Sequence, residues 1–565
     1  MPEPSSPQPN SLRSILAIPW KVSDKTFLIA VIAFILVITS IPYAYGYWSA
    51  PPDKKFMGMM LDVPDHLQYF AWMRDLAQSN LVSNRMTPEP NSPLFFNLLW
   101  WGLGRIGRLG GWHYDVVYQI LRFASILLFL PLAYRMCSWF LKDPHQRRTA
   151  FLVICFTSGF GWVLVAMKYL TGGDLLFPLT VYVAEGNTFL SMLGYPHFIA
   201  ALLYIFVFDL LLRGQARAQL RYAVAAGLFA LFLGWQHAYD LVAVYAIIAA
   251  YALLLLLRDR KIPLFIVKSG LIIGVISWWP ALYSVLLTSL DPIWEEILAQ
   301  FANAGVYTPN LLLLPVLLGP AFLLAIYTVV KRRPFQLTRL DDNSLFILGW
   351  FLISFVLVYL PVDYQIHLIN GWQIPIAVLA TQGLFDYILP AVQRLASRGK
   401  NLPVSRSPLP FVENWLPALF LLLVVPTNLY LWGWRFYDLS RHDYPYYLRN
   451  SEIEALNWLD AHTRSEDVVL SSLAIGQYIP AHTGAHAYLA HWAQTLDFFG
   501  NTGKVTEFYS GKAPGERMEQ ILQEKSVDYV YYGPAERLLG DLSPQALPMK
   551  IAFSNQDVVI YQVDH

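Results

Sequence analysis

Apolar runs of about 20 residues, the length needed to cross a hydrocarbon layer as a helix, recur along this chain between short polar joints. Eleven are visible: Thr26–Tyr47, Tyr114–Phe140, Thr149–Leu170, His197–Leu212, Tyr222–Gln236, Ala238–Leu257, Pro263–Leu287, Asn310–Val330, Ser344–Leu360, Trp372–Ile388 and Trp415–Trp434. Leu175–Leu193 is also apolar, but Glu185-Gly-Asn187 interrupts it, and it reads as an interfacial excursion. Two regions break the rhythm. Trp48–His113 is too long for a plain connection, and the chain turns polar after Trp434. The pattern predicts a mainly α-helical, polytopic protein: a disordered cytoplasmic tail (1–25), a membrane region (26–434) with a large first outer loop (48–113), and a small extracytoplasmic α/β domain (435–565).

The sidedness follows from where Lys and Arg gather. Lys142–Arg148, Arg213–Arg221, Arg258–Lys261, Lys331–Arg333 and Arg394–Lys400 fall on every second joint, together with Lys21 and Lys25. The alternate joints Thr288–Thr308 and Tyr359–Gly371 contain neither residue. The N-terminus is therefore expected on the cytoplasmic side, with the first loop and the C-terminal domain outside.

Within the first loop, Asp62–Arg74 is apolar around much of a helical circumference, which predicts a helix lying in the membrane interface. Thr87–Pro93 carries repeated prolines and predicts an extended linker, followed by a second interfacial helix at Leu94–Gly104. In the C-terminal region a helix is expected over Ser451–His462, with Ser451 and Glu454 forming a capping box. Short strands are expected at Val468–Ser471, Ala487–Ala490, Asp528–Tyr532 and Val558–Val563, and a helix at Glu516–Lys525. Alternating helices and strands predict an α/β arrangement.

Composition changes this picture little. Hydrophobic residues make up 56% of the chain and charged residues 14%, and mean hydropathy is +0.41, against about 25% charged residues in soluble domains. A net charge of +1 leaves no basic surface for nucleic acid. Cys137 and Cys155 both lie inside apolar runs and read as small core residues.

Candidate chemistry concentrates at Asp62 and Asp65, at the start of the first-loop helix. Two readings stand side by side. An aspartate ahead of a helix with Pro64 between can simply cap it, or the carboxylates can serve a reaction at the bilayer edge. Other polar residues near span ends are His66, Tyr69, Arg74, Arg85, Glu185, His197, His237, Asp240, Asp363 and His367. His237 with Asp240 can be a helix-end pair, and His197 a helix-start residue. Glu185 needs a partner or a purpose in so apolar a stretch.

The order of a first span, a large acidic first loop with interfacial helices, many further spans and a soluble tail resembles the GT-C class of membrane glycosyltransferases. That class uses polyprenyl-phosphate sugars and includes oligosaccharyltransferases, protein mannosyltransferases and aminoarabinose transferases. Asp65 with Tyr69 four residues on matches its first-loop acid. The tail stretches Glu454–Leu459, Val469–Ser472, Gly476–Thr483, His491-Trp-Ala493 and Asp528-Tyr-Val530 resemble uncharacterised bacterial members. The resemblance implies Asp65, with Asp62, as catalytic carboxylates. It also implies a lipid-phosphate sugar donor, a lipid, glycan or protein acceptor, and binding roles for the other polar residues. His66 stands where many members have a second acid, and His367 where arginines are common. No His and carboxylate spacing has metal-site strength, although a divalent ion is compatible with the class. A lipid-linked-glycan flippase and a non-catalytic assembly protein are the competing readings. Transporters usually carry internal repeats, and none is visible here.

Overall fold

The computed structural model describes residues 23–303, 307–332, 336–398, 410–542 and 547–564. All but the last three residues of the predicted tail (1–25) lie outside them. Among the described residues six helices are long and apolar enough to span a membrane: Asp24–Trp48, Tyr114–Phe140, Pro196–Arg217, Asp240–Asp259, Leu314–Lys331 and Gln365–Leu395. Three bent pairs raise the number to nine. These are Pro144–Phe156 with Gly161–Thr171, Leu264–Ser277 with Trp279–Leu290, and Trp415–Val424 with Pro426–Ser440, bent by 43°, 48° and 51°. Pro280 and Pro426 sit at two of the breaks, where a missing N–H and a ring clash interrupt the helical ladder.

Six to nine spans is fewer than the eleven expected. The difference is two helices that are apolar but short, Arg221–Gly234 with 14 residues and Asp342–Leu357 with 16. At 1.5 Å per residue they rise only about 21 and 24 Å, against a hydrocarbon core of about 30 Å. The helices share one buried core that includes Phe129, Phe208, Tyr251, Phe346, Trp350 and Trp372.

The first-loop helix (Val63–Leu76) has much of its apolar circumference covered by protein, where its pattern predicts a helix lying in the membrane interface. Leu67, Phe70, Met73 and Leu76 are buried in a core shared with Leu448, Leu456, Ile475, Tyr478 and Ile479 of the C-terminal region. An all-round apolar helix satisfies burial by protein as well as by lipid, and here the C-terminal region covers it. The second helix runs over Leu98–Gly110, with Ile106 and Leu109 exposed. The stretch Leu175–Leu193 folds into two short helices, Leu179–Tyr182 and Thr188–Gly194, the second buried throughout.

Two strands that the pattern did not announce tie the ends of the membrane region together. β1 (Lys54–Phe56), just after the first span, pairs antiparallel with β2 (Tyr447–Arg449), just after the last. The helix before β2 runs on to Ser440, past Trp434. Beyond it lie β3 (Val468–Leu470), β4 (His486–Ala487), β5 (Val527–Tyr532), β6 (Met549–Ser554) and β7 (Val559–Val563), in the sheet order β4-β3-β5-β7-β6. β3 is parallel to β4 and β5, while β7 is antiparallel to β5 and β6. The helix Asn450–His462 starts two residues out of the expected register. Glu452 accepts the Arg449 N–H at 2.8 Å, while Ser451 donates to Asp557 and Glu454 accepts from Asn555. Tertiary partners thus consumed both residues of the expected box.

Candidate active site

Asp65 lines a cavity of about 310 Å³ between the first-loop helix, three membrane helix ends and a loop of the C-terminal region. Gln68, Tyr69 and Trp72 share its helical face, and Trp100, His197, Phe198, Gln236, His237, Tyr239, His367, His491 and Trp492 complete the wall. The lining is aromatic and histidine-rich, and none of these residues is Lys or Arg. Tyr69 stacks on Trp100 with ring centroids 4.5 Å apart. A second recess of about 190 Å³ shares Phe95, Asn97, Gln236, Ala238 and Ser284 with the first. It extends to Pro280, Tyr283 and Leu287 on the bent pair, whose Val285, Leu286 and Leu290 are exposed.

Asp62 occupies the N-cap position, yet its side chain makes no capping bond and its backbone is left-handed (φ 39°, ψ 56°). Outside glycine that conformation is uncommon and mildly strained, though aspartate tolerates it better than most. The simple capping role therefore does not hold. Instead Asp62 and Asp65 lie close enough for a hydrogen bond between carboxyls. Burial, then the Asp65 charge, then Glu185, push Asp62 well above the usual carboxylate range. Asp65 goes the other way. Burial would raise it, but the hydrogen bond from His491 and the fields of the His491, His66 and His367 rings together outweigh that and hold it below its ordinary value. Two like charges this close share one proton, and the order of the shifts leaves Asp65 ionised and Asp62 protonated. Desolvation alone would have raised Asp65; the surrounding histidines, His491 first among them, reverse its direction.

The segment before Asp62 is held from two sides. Arg435 donates to Met60 O at 2.6 Å, and the His66 ring bridges Leu61 O (2.7 Å) and Gly194 O (2.9 Å). Burial holds the His66 pKa below normal, while the two carbonyl oxygens and the Asp65 charge work against that lowering. A Cβ on Gly194 would come within 2.4 Å of Leu61 Cδ1, so a larger residue there would push the Leu61 side chain aside.

The other candidates divide. Tyr69, His197, His237 and His367 reach the cavity, and the His197 Nδ1 and Gln236 Nε2 are buried without a protein partner. Asp240 stands behind His237 (2.7 Å to Nδ1) and Glu185 behind His367, each as a backing carboxylate. His66, Arg74, Arg85 and Asp363 do not line it. Arg74 binds Asp460 and His482 O, and Arg85 binds Asp75 and Ser465 O, so neither is available to a phosphate in the cavity. Among the described residues no group of three or more His, Cys, Asp or Glu is placed to hold a metal ion. The His66 nitrogens and Glu185 already have partners, so the donors present do not fit a divalent ion. His491 and Trp492, 426 residues from Asp65 in the case of His491, were not expected here. The His491-Trp-Ala493 stretch was their only trace.

No protein-family model matches the sequence, and a search of curated proteins finds no significant relative. Solved structures do match. The oligosaccharyltransferase of Archaeoglobus fulgidus, tethered to an acceptor peptide, superposes over 96% of this chain and 74% of its own, with a TM-score of 0.50 at 14% identity. The arabinofuranosyltransferase AftD from Mycobacteria matches over 96% of this chain and 40% of its own, with a TM-score of 0.53 at 14% identity. The chain has a GT-C fold. In this fold the cavity lies where the first loop, the membrane helix ends and the C-terminal sheet region meet.

Proposed function

We propose that the protein is a glycosyltransferase that moves one sugar from a polyprenyl phosphate to an acceptor hydroxyl on the outer face of the membrane, with Asp65 as general base. The observation that carries the reading is the Asp65 carboxylate, hydrogen-bonded by His491, on the wall of an aromatic chamber that continues into a recess beside exposed apolar helix. A volume of about 310 Å³ is at the low end of the roughly 300–1,000 Å³ of small-molecule sites, which suits a single sugar better than an oligosaccharide. Tyr69, Trp100 and Trp492 offer ring faces to it, and the second recess offers the first isoprene units a path from the bilayer.

In the proposed step the acceptor oxygen attacks the anomeric carbon as the bond from that carbon to the phosphate oxygen breaks. The hydroxyl proton passes to Asp65, and the lipid phosphate leaves with the bonding pair. A single displacement inverts the anomeric configuration. Asp62, protonated, keeps a second negative charge away from the departing phosphate. His197, His237, His367 and Gln236 supply the polar contacts that an Arg or Lys would supply elsewhere.

The test is transfer from labelled polyprenyl-phosphate sugars by the purified protein in lipid nanodiscs. Wild type is expected to release lipid phosphate and label an acceptor, and Asp65→Asn to do neither while keeping its melting temperature. Donor movement between leaflets without transfer, unaffected by Asp65→Asn, would replace this reading with the flippase.

A further inference from the structure

Asp65 and His491 meet across the whole length of the fold, and the details of that contact are informative. His491 Nε2 lies 2.9 Å from Asp65 Oδ1. On the other side of the ring, the Ala493 backbone N–H donates to Nδ1 at 3.0 Å. A nitrogen that accepts from an amide carries no proton, so the ring proton sits on Nε2 and points at Asp65. A neutral imidazole locked in this tautomer can donate to the carboxylate but cannot take a proton at Nδ1 without losing the amide. The contact is closed as well: His491 is 3% exposed at its side chain, while Asp65 keeps 34% open.

The loop that carries the ring is fastened to the first loop. Thr495 Oγ1 accepts from the N–H groups of Ala490 and His491, both at 3.0 Å, and donates to Met86 O at 2.5 Å. Asn84 Nδ2 donates to Gln494 O at 2.8 Å, and the Leu496 N–H donates to Thr87 Oγ1 at 3.1 Å. The ring is thus preorganised before any substrate arrives.

We propose that His491 is a positioning residue: the C-terminal region inserts a fixed Nε2–H donor that holds one oxygen of Asp65 and presents the other to the acceptor hydroxyl. The role of Asp65 as base belongs to the reading above; the state of its carboxylate does not depend on it. The titratable groups around Asp65 are Asp62 and His66 on its own element, His367 across the cavity, and Tyr69, Tyr118, Tyr195 and Tyr239.

The experiment reads the Asp65 carboxylate directly, by infrared titration of the full-length protein, with the band assigned through its loss in Asp65→Asn. His491→Phe and His491→Leu remove the donor; His491→Gln keeps an amide N–H near the Nε2 position. Both donorless variants are expected to protonate Asp65 about one pH unit or more higher than wild type, and His491→Gln to return most of that shift. In the transfer assay the acidic limb of kcat should move up by the same amount, with KM for the donor unchanged. An Asp65 titration that is the same in all four proteins overturns the proposal, as does a Gln variant indistinguishable from Leu. Wild type inactive on every polyprenyl-phosphate sugar, with the infrared shift intact, would overturn the glycosyltransfer reading and leave the positioning contact standing.

Discussion

Two hollows flank the first-loop helix, and the larger one is the less informative. On the face of Arg74, Asp75 and Gln78 a groove of about 1040 Å³ runs between the first loop and the C-terminal region. On the face of Asp65, Gln68 and Tyr69 the cavity is about 310 Å³. In the groove each cation is already paired: Arg74 with Asp460, Arg85 with Asp75, Lys525 with Glu89. In the cavity the backing carboxylates Asp240 and Glu185 stand behind the wall, Asp65 and His491 pair on it, and buried donors such as Gln236 Nε2 are left over. Satisfied charges glue two parts of a chain together; unsatisfied polar atoms and a split carboxylate pair mark where something else must bind.

The comparison breaks most decisively at Asp65. Asp65→Asn can still accept from His491 and should keep the fold, yet transfer is expected to fall about 10²–10⁴-fold, the usual worth of general-base assistance. Nanodisc turnover and a melting curve on the same sample check this, and an unimpaired variant would demote the cavity to the standing of the groove. Next comes the wall pair. His367→Ala leaves Glu185, 9% exposed at its side chain, buried without its hydrogen-bond partner, a change that typically costs about 1–3 kcal/mol. Denaturation should register it as a large loss of stability, and Glu185→Gln in the same chain should recover part of it.

A smaller effect carries a sign. Asp62 has its folded-state pKa raised by burial and by Asp65, so its ionisation opposes folding. That penalty is absent below the ordinary value of 3.8 and grows as pH rises toward the folded-state value. Asp62→Asn keeps a residue tolerant of the left-handed backbone and removes the penalty. It should melt like wild type in acid and slightly above it near neutrality, a small difference because solvent reaches this side chain and screens the penalty. The opposite trend would mean that Asp62 is the ionised member of the pair.

Much of this was readable in one dimension, for particular reasons. All eleven apolar runs fall on helices or bent helix pairs because an uninterrupted run leaves no other way to satisfy the backbone in lipid. Asp65 and Tyr69 stood out because one turn of helix puts them on one face. His491 did not, because only tertiary folding brings it across 426 positions. β2 is three residues long, and β6 lies at the sheet edge with Lys550 and Ile551 exposed, too little alternation to read. The first-loop helix was assigned to the membrane surface because an apolar circumference does not say whether lipid or protein will cover it.

The groove supplies the smallest effect and the control that gives the others meaning. Arg74 has Asp460 at 2.5 Å, but their side chains are 24% and 45% exposed. Water competes for both, and such pairs contribute about 0.2–1 kcal/mol. Its second bond, to His482 O at 2.8 Å, ties the first-loop helix to the C-terminal region without touching the cavity. Arg74→Ala should therefore lower the melting temperature slightly and change transfer less than about twofold, since a shift of one tenfold step would require about 1.4 kcal/mol in the transition state. A tenfold loss of turnover with the melting temperature held would mean that the groove communicates with Asp65 through the helix they share, and the division between structural glue and reactive chamber would have to be redrawn along that helix.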